Sequence, residues 1–569
     1  MYITTDEPKR DFNQVTAVED ESTDLQLFDY VLIEGSGGSW IGQITAPNIN
    51  ISTNGGPYDP AILYAIKLKQ SKPDVQLAET IESWQINLLG QYEDGRLRTL
   101  RRRPKPSSSV SRLDRETTTR VLNLPAYDQS LNNVVGYLLN ADDVPLCVGR
   151  KIFTHHILVS GGTGSGKSNT GANLIRQAAK QEFTVFLYDA KPDYRKMSQA
   201  NTDETVTSIW PDFSKYDLAP CSPDKLTRIA IYGIGTAGVT KDYTGYDSVI
   251  GFRASDFEPY LFAALFFDEK ANVNQYEDFA AVCADLKYGD ESDQKEHEFS
   301  IDNVISEVEQ RKRNFLINQT AEQKNQPANP SLKTIHSSTA ETIVRKVRRA
   351  ARNMPWLDAV GKEIKTREET PDNGLFTNPF ERARTTVQNV VSLNPKELIR
   401  KGGIVHVDCA GLAKDARMYA LFLSRFLYIN QEHLTNHSKD RSRGVVEFVD
   451  EAHRLFTNDS RYSDLLGNAF NRTMVEGRSL AHGVVLSLQN ASQVPAIILN
   501  NINSHIVMRQ NNKMVAKAAT QTMGDEYADH SVALSSGEAF CRMFESSATV
   551  HVRMAPSPFE LERSDNAGN

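Results

Sequence analysis

A chain of 569 residues exceeds what one compact core can cover and requires roughly two or three domains. With 40% hydrophobic and 24% charged residues and no long uncharged apolar run, it reads as a soluble globular protein and excludes a bilayer-spanning one, so no membrane partner is expected. The net charge of −8 excludes a surface that is basic throughout, so any polyanion must be met by local patches. The segment Met1–Glu7 lacks the basic-then-apolar layout of a secretory signal. Cys147, Cys221, Cys283, Cys409 and Cys541 are odd in number and lack metal-ligand spacing, so reduced thiols in the cytoplasm are expected.

Up to about residue 135 the chain shows short β segments, Tyr30–Glu34, Trp40–Ile44 and Gln85–Tyr92, divided by turns such as Gly35-Ser36-Gly37-Gly38. They predict a small barrel or sandwich. The basic, Pro/Ser-rich stretch Arg101–Ser109 that follows reads as a linker or exposed loop. Residues 136–250 carry the strand His156–Ser160, a glycine-rich loop, a helical pattern over Ala172–Ala179 and a buried-type strand, Thr184–Ala190. Residues 251–384 read as mostly helical, with apolar spacing at Phe257, Leu261 and Leu265 and a polar stretch around Gln319–Pro330. Residues 385–555 return to strands separated by helices: Ile404–Asp408, Val445–Asp450, Val484–Gln489 and Ile506–Arg509. A tail, 556–569, completes the division. Strands alternating with helices around a glycine-rich loop predict a mostly parallel α/β sheet into which the helical region is inserted.

The loop Gly161-Gly162-Thr163-Gly164-Ser165-Gly166-Lys167-Ser168 satisfies G-x-x-x-x-G-K-[ST], with the strand before and the helix after that a phosphate-binding loop needs. Its glycines let backbone N–H groups close around phosphates, and the helix N-terminus adds its positive end. The expected ATP-binding set is Gly161, Gly162, Thr163, Gly164, Ser165, Gly166, Lys167, Ser168 and Asn169. Lys167 is expected to reach the β/γ-phosphates and Ser168 to ligate Mg²⁺.

Val445–Asp450 followed by Glu451 fits a Walker B strand. Asp450 would hold the Mg²⁺ shell, and Glu451 would orient or deprotonate the attacking water, which argues for hydrolysis rather than binding alone. Arg472 and Arg478, in Asn471–Arg478, are candidates for an arginine near the γ-phosphate, against the alternative of a solvated helix face with an ion pair. Gln489 would sense the γ-phosphate or position water, against a plain polar strand end.

The order of these motifs (P-loop, Asp-Glu strand end, Glu476-Gly477-Arg478, strand ending Ser487-Leu488-Gln489) resembles the HerA/FtsK superfamily of ring-forming DNA translocases, HerA proper most closely. Arg150 with Thr154-His155-His156, the segment Asp189–Tyr194 and Leu534–Ala539 resemble further HerA segments. Ala190 and Lys191 replace the family's usual Pro and small residue, Asp193 replaces Glu, and Leu488-Gln489-Asn490 lacks the usual Gln-Arg-Pro. The resemblance implies a RecA-like P-loop core with a small N-terminal β-barrel and an inserted helical subdomain. It also implies a homohexamer with ATP between subunits that encircles double-stranded DNA and docks a nuclease or other effector. Arg478 then becomes the arginine finger, with Arg509 and Arg150 as further residues near the nucleotide.

The expected function is an ATP-dependent translocase or helicase on duplex DNA, in DNA-end processing or anti-phage defence. A nucleotide-regulated ring scaffold that assembles an effector shares every motif and is the alternative. An ABC-type ATPase is disfavoured, because Leu534–Glu538, which resembles its signature, follows Asp450 instead of preceding it. Arg96, Arg98, Arg101–Arg103 and the run Arg345–Arg352 are basic enough for phosphates, but such runs are more often solvated faces, and no DNA residue is assigned.

Overall fold

Phe183–Asp189, Gly444–Val449, His482–Leu488 and Ser504–Met508 are buried along their whole length, as strands of a parallel sheet covered on both faces must be. Alternate side chains enter two separate cores. Phe186, Tyr188, Val445, Val449, Val484 and Leu486 pack with Tyr419, Phe422 and Phe426 of the helix Ala416–Asn436. Val185, Leu187, Val446, Phe448 and Val485 pack with Ala172, Leu174 and Ile175 of the helix Lys167–Lys180 on the other face. The computed structural model describes residues 2–3, 12–18, 25–50, 81–141, 144–235, 242–289, 296–324, 326–369, 383–438, 443–456 and 460–562. Residues 4–7 of the N-terminus, 51–80 of the expected barrel, 325 of the polar stretch, 370–382 of the expected insertion and 563–569 of the expected tail lie outside these.

The twelve-stranded sheet runs Ser248–Ile250, Leu226–Ile231, Ile404–Asp408, Phe183–Asp189, Gly444–Val449, His482–Leu488, Ile157–Ser160, Ser504–Met508, Glu538–Arg542, Val550–Met554, Val134–Leu138, Pro145–Cys147. Neighbours are parallel as far as Ser504–Met508 and antiparallel beyond it. Ile157–Ser160 lies between His482–Leu488 and Ser504–Met508, so the glycine-rich loop opens among the carboxyl ends of the parallel strands. Ligands of open α/β sheets bind at that edge.

Tyr2–Ile3, Gln14–Val18, Tyr30–Gly35, Gly38–Asn50, Ile81–Glu93, Arg96–Arg98 and Ser109–Arg112 form a separate seven-stranded antiparallel sheet. Gln14–Val18 pairs also with Ile81–Glu93, so the sheet closes on itself with only Arg96–Arg98 outside the ring. Val31, Ile33, Trp40, Ile44, Ile86 and Val110 fill its interior. The stretch Arg101–Ser109 is a loop of this sheet and not a linker. Its following strand, Ser109–Arg112, pairs with Tyr30–Gly35, while Trp40 donates its indole N–H to the Arg102 carbonyl at 2.7 Å.

Past Ser248–Ile250 come the helices Val273–Tyr288, Ile301–Gln323 and Ser337–Ala351. Ser300 starts the second, its hydroxyl accepting from the Asn303 N–H while Asn303 bonds back. The same region ends in a two-stranded sheet, Glu363–Glu369 with Ala383–Asn389, beside the expected helices. No helix among the described residues is long and apolar enough to cross a membrane.

Candidate functional site

Gly166 has φ +105°, and a Cβ there would lie 3.0 Å from Met508 Cε, so glycine is required where the loop turns into the helix Lys167–Lys180. The loop is clasped from outside. Gly162 donates its N–H to the Arg509 carbonyl at 2.7 Å, Gly537 donates its N–H to the Ser165 carbonyl at 2.9 Å, and Ser536 Oγ donates to the Gly164 carbonyl at 3.0 Å. Thr163 and Gly164 form its exposed tip, while the Ser165 hydroxyl is buried without a hydrogen-bond partner. Lys167 Nζ folds back onto the carbonyls of Gly161 at 2.7 Å and Gly162 at 3.0 Å. Burial holds its pKa below the ordinary lysine value. The Asn169 side chain accepts from the Ser557 N–H at 3.1 Å and so anchors the chain's last segment.

Four carboxylates from two neighbouring strand ends converge beside the loop. Ser168 Oγ donates to Asp193 Oδ2 at 2.8 Å. Asp450 is buried, and its Oδ2 has no hydrogen-bond partner. Burial, followed by the charges of Glu451, Asp189 and Asp193, pushes its pKa well above the usual carboxylate range. Asp189 is likewise pushed well up by burial and by Asp408 and Asp193. It accepts from the Tyr194 N–H at 3.2 Å and lies 3.0 Å from His406 Nε2. Glu451 has φ +49° and accepts on one oxygen, Oε1, from both Lys191 Nζ and Gln489 Nε2, each at 2.9 Å. Burial raises the Glu451 pKa, but these two donors outweigh it and hold the carboxyl below its ordinary value.

The donors Ser168 Oγ and Asp450 Oδ2 are hard oxygens, and no cluster of His, Cys, Asp or Glu able to cage a metal exists among the described residues. A cation that keeps its waters and takes one or two carboxylates plus phosphate oxygens suits this set, which describes Mg²⁺. The unpartnered Asp450 Oδ2 is the observation that fits it.

The sequence-derived arginines divide. Arg509 Nη2 reaches the Gly164 carbonyl at 3.4 Å, beside the loop. Arg150 lies elsewhere, its guanidinium 4.3 Å above the Phe183 ring and bonded to the Gln181 carbonyl. Arg472 is exposed and paired with Glu476 at 3.1 Å. Arg478 is exposed at the amino end of His482–Leu488, where its charge acts on His155 and His156. That strand spans about 20 Å at roughly 3.3 Å per residue, so Arg478 is remote from the loop of its own chain. Of the basic runs, Arg96, Arg98, Arg101, Arg102, Arg345, Arg348, Arg349 and Arg352 are exposed, Arg348 pairing with Glu309 at 3.1 Å.

Sequence reasoning missed the partners Lys191 and Asp193, although both lie in the segment Asp189–Tyr194 that it singled out. It also missed the support beneath the Walker B strand. Glu447, fully buried, takes hydrogen bonds from Tyr188 Oη at 2.8 Å and Asn430 Nδ2 at 3.0 Å and lies 2.6 Å from His482 Nε2. An acidic residue in the middle of an apolar strand was the available signal.

A probable helicase of Methanocaldococcus jannaschii is 29% identical over 138 residues, 23% of this chain and 26% of that protein. A probable DNA double-strand break repair helicase HerA of the same organism is 27% identical over 137 residues, 24% and 26% of the two chains. The chain thus matches about a quarter of the length of these curated relatives. Among solved structures, VirB4 of Thermoanaerobacter pseudethanolicus aligns over 76% of this chain and 96% of its own at 11% identity and a TM-score of 0.40. The plasmid coupling protein TrwB aligns over 79% and 95% at 11% identity and a TM-score of 0.43. The family model for the central domain of helicase HerA matches residues 133–425, from the first strand of the central sheet through the glycine-rich loop and the helical region, so this chain belongs to the HerA helicase family.

Proposed function

We propose that this chain is an ATPase that drives movement along double-stranded DNA. The observation that carries the reading is the buried Asp450 with an unpartnered oxygen, beside a loop whose lysine and serine are still engaged with protein oxygens. ATP would lie on Gly161–Asn169, with Lys167 neutralising phosphate charge and Ser168 and Asp450 holding Mg²⁺. Glu451 would take the proton of the attacking water as the terminal phosphate leaves ADP, with Gln489 fixing the Glu451 carboxyl in place. Arg478, remote from its own loop, would complete the site of a neighbouring copy in a homohexamer. The closed N-terminal sheet is read as the family's small barrel, the helices past Ser248–Ile250 as the inserted subdomain, and the central sheet as the RecA-like core. The names of the curated relatives, a helicase and a double-strand break repair helicase, support duplex DNA as the track. The chain shows no nuclease motif, so cutting would fall to a partner nuclease or other effector in the cytoplasm.

Phosphate release from Mg²⁺-ATP by the purified chain tests the enzyme assignment, with Lys167→Ala as the blank. Release that disappears in the variant supports it, and release equal in both removes it.

A further inference from the structure

Lys191 follows the strand Phe183–Asp189, next in the sheet to Gly444–Val449, whose end carries Glu451. Its ammonium lies 2.9 Å from Glu451 Oε1, the same oxygen that takes the Gln489 amide at 2.9 Å. Both lone-pair directions of that oxygen are therefore occupied. The other oxygen, Oε2, has no hydrogen bond, with His453 Nε2 at 3.4 Å and Arg454 Nε at 3.9 Å. Glu451 holds this pose at φ +49°, a left-handed conformation that non-glycine residues keep only where their surroundings fix them. Lys191, by contrast, is one-third exposed at the mouth of the site, on a long flexible stem. Both lysines of the pocket thus rest on protein oxygens, Lys167 on two carbonyls and Lys191 on the candidate base.

We propose that Lys191 is a positioning residue that reads the terminal phosphate, holding Glu451 while no triphosphate is bound and exchanging it for that phosphate when one is. The exchange is one of hydrogen bonds. Lys191 keeps its proton, its ammonium–carboxylate bond breaks and an ammonium–phosphate bond forms. A terminal phosphate carries more charge than a single carboxylate and three acceptor oxygens, so it can outcompete Glu451. A diphosphate ends one phosphate short and places no group at the third position, so Lys191 stays where it is. Glu451 is then released to act on water only when ATP is seated. Gln489 shares its oxygen and keeps the carboxylate aimed during the exchange.

The inference rests on the ATP-binding reading of the site, and the test separates the two. Calorimetric titrations of the full chain with Mg²⁺-ATPγS and Mg²⁺-ADP are compared for the wild type, Lys191→Met and Lys191→Arg, with melting curves to confirm folding. Lys191→Met is expected to weaken ATPγS binding by about ten- to a hundred-fold, the worth of one charge-assisted hydrogen bond, and to leave ADP within about two-fold. Lys191→Arg keeps the charge and should recover most of that loss. Glu451→Gln should tighten ATPγS binding in the wild-type background by releasing Lys191, and should not do so in Lys191→Met. If Lys191→Met does not fold, Lys191→Gln carries the same comparison. An unchanged ratio of ATPγS to ADP affinity in the neutral variants would make Lys191 a plain counter-ion and overturn the inference. A wild type that binds neither nucleotide would remove the ATP reading itself.

Discussion

Changing Asp450 to asparagine removes a charge from a site where the protein alone does not compensate it. The carboxylate is buried, its Oδ2 has no hydrogen bond, and Glu451, Asp189 and Asp193 repel it. An unmet buried neutral group costs about 1–3 kcal/mol and a charged one more, so the amide relieves a cost that the attraction to Lys191 offsets only in part. The direction follows from linkage. A carboxyl whose folded pKa is raised destabilises the fold once pH exceeds its unfolded value near 3.9, and asparagine lacks that term at neutral pH. The ligand-free Asp450→Asn chain should therefore gain about 1–3 kcal/mol in the unit that contains the central sheet. That is roughly 2–12 °C in melting midpoint at about 2–4 °C per kcal/mol for a domain of that size. The stabilisation given by Mg²⁺-ATPγS, about 2.7 kcal/mol at a hundred times Kd for an intact site, should shrink in the same variant. Differential scanning fluorimetry with and without Mg²⁺-ATPγS reads both effects. A ligand-free variant that melts at or below the wild type would refute the description of Asp450 as an uncompensated carboxylate awaiting a cation.

Glu451→Gln should retain ATP binding and lose about 10²–10⁴-fold in hydrolysis, the usual worth of a general base, and turnover within three-fold of wild type in a phosphate-release assay would contradict its role. Arg478→Ala and Lys167→Ala should each be inactive alone yet regain partial activity when mixed, because one subunit then supplies the arginine and its neighbour the lysine. A mixture as inactive as its components in steady-state assays would exclude an arginine shared between copies. Burial pushes His156 and His505 down to about 4, so the unfolded chain takes up protons near pH 6.5 that the folded chain refuses. Their stabilisation is present above pH 6.5 and is lost as pH falls towards 4, giving a falling melting midpoint across that window. A midpoint flat from pH 7 to 4.5 would contradict it.

The parallel strands were legible because burial on both faces leaves uninterrupted apolar runs. Ile404–Asp408 was read with its observed limits, and Val445–Asp450 within one residue of the strand Gly444–Val449. Leu226–Ile231, Ser248–Ile250 and Val550–Met554 were not read, since short strands nearer the sheet's ends alternate with polar residues or carry no more than three positions. The stretch Arg101–Ser109 read equally as a linker or an exposed loop, because proline, serine and arginine mark exposure in both settings. The pairing of Ser109–Arg112 with Tyr30–Gly35, and of Ser109 with Tyr2, shows that the sheet continues past it. In the site, Gly161–Ser168 and Asp450-Glu451 stood out because their chemistry is tied to local spacing. Lys191, Asp193, Ser536 and Gly537 act through contacts between segments far apart in the chain, which no local pattern encodes.

A DNA-driven motor is tested by steady-state ATP hydrolysis of the purified chain, with and without linear duplex DNA and with Lys167→Ala as the blank. Turnover should rise with duplex DNA and vanish in the variant. Turnover indifferent to DNA would contradict a DNA-driven motor and leave a nucleotide-switched ring that assembles an effector protein.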